Sequence, residues 1–497
     1  MPSAIEYKIR LLIPRWLTYG VASSFGELGE NLKNKRPSAY SSRNYTSIQF
    51  EWKNNKSIPY AIELVSFGLL INDYENPLLI EAANFILDNR NMTSDIAVEL
   101  ASRALNTAND RVIIPEPHQY EVSVEAIRGK IAALKYRCRD YNVNAIAWAD
   151  LAFYYSMLAQ KEQAIKSMSI AVSLGHENRF ILRSASRLFT HYGSPDYALT
   201  LLRGSEISKY DPWIMASEIS ISESINKASK LSNYAQRLIA NSEKVTINNS
   251  ELFATMGTLE FSHGAIKKCK KLINSSLQKP TENCLAQAEW LADKLGAPFK
   301  TPLQNSASFE AQTLQLFNSN KYSESVDACN KWLRFQPFSS MPAVNGSYVA
   351  SIALEDYKHA IEICEIGLQS SPNEIMLINN YAFALLQCGR LDDAEKVINS
   401  VDVSGLEDRA LNTLAATTGL LKYKQGDVSN ARELYAMSTE KFAKNDDKRA
   451  LAIALTFWAE EEKEFDMSLA ASLLEKAKQI AKKEKMHELL YKIKNKK

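Results

Sequence analysis

Apolar and small residues recur in this chain at helical spacing, separated by short polar breaks. In the stretch 145–175, Trp148, Leu151, Ala152 and Tyr155 fall at i, i+3, i+4 and i+7, one face of a helix. A break at Ala159–Glu162 follows, and then Ala164, Met168 and Ala171 mark one face of a second helix. The alanines predict close approach of two antiparallel helices. Such a pair cannot bury its apolar face alone and has to stack on a neighbour.

The pattern repeats. A shift of 34 residues carries Tyr155 to Phe189, Ala164 to Ala198 and Met168 to Leu202, and the second unit closes at Tyr210-Asp211-Pro212, where a proline opens the next helix. A second array begins at Phe309. Ser325 to Ala360 is 35 residues, Ala360 to Ala394 is 34 and Ala394 to Ala431 is 37, with turns at Asn318–Lys321, Cys388-Gly389-Arg390 and Gln425-Gly426-Asp427.

The order Trp148, Leu151-Ala152, Tyr155, Ala164, Met168, Ala171 resembles the tetratricopeptide repeat (TPR), with Ala152 for that family's Gly and Met168 for its aromatic. The resemblance implies an all-α fold, a right-handed superhelical solenoid of TPR-like antiparallel helix pairs. An irregular helical N-terminal region precedes the regular units. The expected organisation is an N-terminal basic helical or loop segment over 1–56 and divergent helical repeats over 57–144. Two TPR units follow over 145–212, then degenerate helical repeats or a connector over 213–304. Four TPR units over 305–445 lead to a helix pair and a Lys-rich capping helix over 446–497. A polar-faced cap is what a solenoid end requires.

Composition agrees with helices. The chain has 17 Gly and 15 Pro in 497 residues, roughly half the usual combined share of about 12%. That excludes collagen and argues against a turn-rich all-β protein. Lys and Arg number 59 against 57 Asp and Glu, a net charge of +2, so no whole-chain field draws the protein to nucleic acid or anionic lipid. The six cysteines form no C-x-x-C pair and read as free thiols in a reducing compartment, with Cys364 and Cys388 as small packing residues. Charges at Glu6, Lys8, Arg10 and Arg15 interrupt the N-terminal apolar residues, and no stretch approaches the ~18–20 apolar residues of a membrane span. The expected location is cytoplasmic.

No motif for catalysis emerges. The chain contains no P-loop, dinucleotide fingerprint, G-x-S-x-G or H-E-x-x-H, and its six histidines are dispersed. We therefore expect no catalytic, metal or cofactor residues and no enzyme activity.

Binding residues are expected where the first helix of each unit lines the groove of the solenoid, as the resemblance implies. In the second unit these are Arg183, Arg187 and His191 at i, i+4 and i+8, a basic stripe fit for a carboxylate or phosphate. Pairing with Glu from a neighbouring helix is the competing reading. In the C-terminal array they are Asn345, Asn379, Asn380, Phe383, Gln387, Tyr423 and Lys424, polar and aromatic groups suited to a peptide. The set of Lys, Asn and Arg with which the family clamps chaperone tails is not reproduced. Residues 31–56 mix Lys33, Lys35, Arg36 and Arg43 with Tyr40, Tyr45 and Trp52, and read as a surface loop or a segment ordered by a partner, with possible nucleic-acid contact. The Lys runs at 267–271 and beyond Lys476 read as solvated faces.

The function expected is a protein–protein scaffold or adaptor that grips a peptide or protein partner in its groove and organises a complex. The alternative is a regulatory or sensor subunit of a bacterial effector complex that also contacts nucleic acid. A helical enzyme is the third class. No membrane partner is expected, and the oligomeric state is open.

Overall fold

A computed structural model describes residues 39–70, 73, 76–93, 95–106, 119–140, 142–209, 211–242, 245–299 and 309–495. They fall into two compact units, one ending at Ala311 and one running on from Gln312. The regular structure of the described residues is helical throughout.

The N-terminal unit opens with α1 (Ala39–Asn54), α2 (Ile58–Leu70), α3 (Pro77–Asp88), α4 (Asp95–Asn106) and α5 (Val124–Asp140). Within the segment 31–56, read as a surface loop or a segment ordered by a partner, residues 39–54 form a helix. Tyr45, Ile48 and Trp52 lie at i, i+3 and i+7, and all three are buried. Trp52 packs edge-on to Phe85 and donates to Glu81 at 3.3 Å. An apolar face at helical spacing outweighed the polar composition of the segment.

Helix pairs follow: α6 (Ala145–Met157) with α7 (Lys161–Gly175), α8 (Arg179–His191) with α9 (Pro195–Gly204), α10 (Pro212–Ser224) with α11 (Ser232–Ala240), and α12 (Ile247–Ser262) with α13 (Ile266–Ser276). Helix α14 (Glu282–Leu295) packs on α12. Their starts are written in the sequence. Asn144 accepts from the amides of Ile146 and Ala147, and Asp211, ahead of Pro212, accepts from those of Trp213 and Ile214. These bonds satisfy donors that a helix N-terminus leaves open. The first helices of successive pairs touch in order, α6 on α8, α8 on α10, α10 on α12, and form an inner row.

The second unit has the same plan. After α15 (Phe309–Asn318) come α16 (Tyr322–Phe335), α17 (Met341–Ile352), α18 (Tyr357–Ser370), α19 (Ile375–Gln387) and α20 (Leu391–Asn399). Then come α21 (Asp408–Lys424), α22 (Val428–Lys444), α23 (Lys448–Glu462), α24 (Met467–Lys483) and α25 (His487–Asn495). The inner row is α17, α19, α21 and α23, each on the next. One hydrophobic core runs from Phe317 to Ile493. Gly367 lets α18 approach closely, since a Cβ there would meet the Ala343 Cβ at 2.4 Å. Gly426, at φ 84°, makes the turn between α21 and α22.

At the chain end Lys485, at φ 53°, separates α24 from α25, and α25 turns back toward α17. The terminal lysines are not all solvated, for Lys492 is 3% exposed.

Candidate functional site

The inner row of the second unit carries the site. Three of its helices share a residue at the same place. Asn345, Asn379 and Asn412 are the fifth residues of α17, α19 and α21, and all three are buried. They hold equivalent places on the successive helices of the row. The sequence reading found Asn345 and Asn379 but missed Asn412. Asn345 to Asn379 is 34 residues and Asn379 to Asn412 is 33, so Asn412 falls one place short of a strict 34-residue period.

Asn379 borders a cavity of about 110 Å³. It is of the same order as the ~150 Å³ cavity that admits a small apolar guest, room for an apolar side chain. Ile352 from α17, Met376 and Phe383 from α19, Ala416 and Leu420 from α21, and Ile453 and Phe457 from α23 give it apolar walls. Phe383 packs edge-on to Phe457, with centroids 4.7 Å apart, and to Tyr357 at 6.2 Å. Asn379 lines the cavity and accepts through its Oδ1 from the Thr417 hydroxyl at 2.8 Å. Its Nδ2 makes no bond among the described residues. Asn380 donates to the Val344 carbonyl at 3.1 Å and the Ser347 hydroxyl at 3.0 Å, tying α19 to α17. Gln387 lies at the end of α19, away from these walls, with a buried Nε2 lacking a partner among the described residues.

Two arginines at the cavity were not found from sequence. Arg409 and Arg449 are the second residues of α21 and α23. Each holds a carboxylate of the chain itself: Arg409 that of Asp447 at 2.6 Å, Arg449 that of Glu488 at 2.6 Å. The Tyr348 hydroxyl donates to the same Glu488 at 3.2 Å. The regularity that would have revealed them is a cation at one helical position in two successive inner helices.

Tyr423 and Lys424 are turned to internal work. Tyr423 is buried, donates to Glu462 and accepts from the Trp458 indole at 2.9 Å. Arg432, bonded to both oxygens of Glu462 at 2.7 Å, holds that carboxyl below its usual range. Lys424 pairs with Glu461 at 3.1 Å.

The basic stripe of α8 is likewise engaged within its own unit. Arg183 is 2% exposed, bonded to Glu251 at 3.1 Å and seated over the Trp213 ring at 4.4 Å. Thr281 and Asn283 also donate to Glu251, at 3.0 and 2.9 Å. Pairing with a neighbouring helix, the competing reading, describes this arginine. Arg187 lies half-buried beside His191. Burial, with Arg187 and Lys161 adding like charge, pushes the His191 imidazole down to about 3, so it is neutral near pH 7.

Lys33, Lys35 and Arg36 lie outside the described residues, and Arg43 is on α1, its side chain likewise outside them. Tyr45 and Trp52 are buried and offer no face for base stacking. All the cysteines are free; five are buried, whereas Cys388, at the turn after α19, is exposed rather than packed. Burial pushes the Cys364 thiol up to about 12, which keeps it inert. Among the described residues no helix is long and apolar enough to cross a membrane. No group of three or more His, Cys, Asp or Glu among them could hold a metal ion.

No protein-family model and no curated sequence matches the chain. Solved structures do. A human IFIT1 dimer with PPP-AAAA is 12% identical, with a TM-score of 0.31 over 93% of this chain and 99% of that one. The APC/C hetero-tetramer Cut9–Hcn1 is 11% identical, with a TM-score of 0.34 over 88% and 93%. The P58(IPK) TPR domain is 14% identical, with a TM-score of 0.25 over 74% and 99%. Likeness at this level carries no argument about ligand or partner. The stacked helix pairs, recurring every 34 to 37 residues in the C-terminal array, make the chain a TPR-like helical-repeat protein.

Proposed function

We propose that the protein is an interaction scaffold and that the inner row of its second unit grips a segment of a protein partner. The observation that carries this is the cavity between α17, α19, α21 and α23. Its walls are apolar, it is sized for one side chain, and Asn379 presents an unused amide donor at its edge. A peptide offers both complements: an apolar side chain for the cavity and a backbone carbonyl for the Asn379 Nδ2. Burying a single large apolar side chain contributes about 1.5–3 kcal/mol. A preformed surface loses little of that to ordering.

The test is affinity for a protein partner purified from the native source, measured with wild type and with Met376→Trp, which fills the cavity. We expect binding to weaken at least about tenfold, the loss of one well-placed anchor, with the melting temperature nearly unchanged. Undiminished binding by Met376→Trp would move the interface off this cavity.

A further inference from the structure

The C-terminal helix α25 is held in an unusual way for a cap. A cap needs an apolar inner face and a polar outer one. Helix α25 instead turns a Glu and a Lys inward together with its apolar residues. Glu488, Leu489, Lys492 and Ile493, at i, i+1, i+4 and i+5, are all buried. Glu488 meets Tyr348 and Arg449, both on the cavity wall. Lys492 meets Glu355 and Glu460, and sits over the ring of Phe457 at 4.8 Å, a third wall residue. No α25 residue lines the cavity itself. The helix flanks it and occupies the continuation of the same surface.

Buried ion pairs add little net stability, because desolvation offsets their attraction; their best-attested use is to fix register and partner choice. Four features of this contact therefore suit recognition. The receptor surface supplies a cation and a hydroxyl for a carboxylate, two carboxylates and a ring for an ammonium, and apolar ground between. The occupant is nine residues long, too short to be a stable helix on its own. It is joined to α24 through the short joint Glu484–Met486, centred on the left-handed Lys485. It buries charge where a permanent cap would place apolar side chains.

We infer that α25 is a resident ligand of this surface, and that the partner is an amphipathic helix with the same face. That helix carries an acidic residue, a basic residue four positions on and an apolar residue after each, and it displaces α25 about the Glu484–Met486 joint. This rests on the inner row being a binding surface and adds the class of partner and the helix that covers the ground beside the cavity in its absence.

The experiment uses a fluorescent peptide of residues 485–495 as probe and the full chain as receptor. In the intact chain the resident helix competes at the high effective concentration of a tethered ligand. The closed state therefore weakens apparent affinity. The Glu488→Lys chain, whose own helix is repelled by Arg449, should bind the wild-type peptide at least about tenfold tighter than the intact chain does. The Arg449→Glu chain, which repels Glu488 of its own helix and of the wild-type peptide alike, should not bind that peptide, and a peptide carrying Glu488→Arg should bind it. Equal affinity of intact and Glu488→Lys chains, or no rescue by the swapped peptide, would overturn the inference.

If Glu488→Lys lowers helix content, hydrogen exchange of the intact chain decides instead. Excess peptide should speed exchange of amides 487–495, and unchanged protection would overturn the inference. A native partner that still needs Met376 while the peptide fails both tests would leave the scaffold reading standing and remove only α25 as its stand-in.

Discussion

Asn379 and His191 show how far a single residue's role follows from its type and place. Asn379 divides its amide between the protein and the cavity: the Oδ1 accepts from Thr417, and the Nδ2 is unused. Asn379→Ala should weaken partner binding by about 1–1.5 kcal/mol, a typical hydrogen bond. Thr417→Val, which removes only the internal bond, should leave affinity within about twofold by the same titration. His191 was read as part of a cationic stripe, but burial makes it neutral. The sign of its effect on stability follows from the depressed folded value of about 3. Between that value and the unfolded histidine value near 6.5, the unfolded chain binds the extra proton. Stability therefore falls as pH drops from about 6.5, by less than the ~1.4 kcal/mol per pH unit set by one proton. His191→Gln should lose less melting temperature than wild type between pH 7 and pH 5. An equal loss would place the acid sensitivity elsewhere. At this scale the sequence showed residue types at groove positions. It did not show that Arg183 faces Glu251, because that pair joins positions 68 residues apart.

At the scale of elements, the helices most legible in sequence were those with both a periodic apolar face and an explicit start or stop. Helices α6 and α7 have Asn144 as a cap and a polar break between them, and α21 and α22 are separated by Gly426. Helix α1 was missed because its three buried residues are spread through Ser, Asn and Lys, so that composition masked periodicity. No glycine announces the break before α25, where Lys485 takes a left-handed conformation. Helix approach gives a paired prediction. Gly367→Ala would drive a methyl to 2.4 Å from the Ala343 Cβ and 2.8 Å from Leu377, and should destabilise by about 1–3 kcal/mol. Gly129→Ala, in α5 with nothing within 4 Å, should stabilise by up to about 1 kcal/mol. Thermal melts of both variants check the pair, and a Gly367→Ala melt equal to wild type would contradict the close packing of α18 on α17.

At the scale of the molecule, the two units use the same inner-row architecture to different ends. In the first, Arg183, Glu251, Thr281 and Asn283 join one another across the row. In the second, the row keeps a cavity with an unused donor, flanked by a helix from the chain's own end. The repeat pattern revealed the architecture because period and packing are local in sequence. It could not reveal the surroundings of the second row's cavity, because they depend on contacts such as Tyr348 with Glu488, 140 residues apart. The central claim is that the second row is where the partner sits. The most direct measurement places a photo-crosslinking amino acid at Met376, and separately at exposed Tyr136 of the first unit, in the native cell. The account predicts that Met376 captures a partner protein, that Tyr136 does not, and that the Met376 crosslink is lost when Phe383→Ala reshapes the cavity. Capture from Tyr136 with none from Met376 would contradict it.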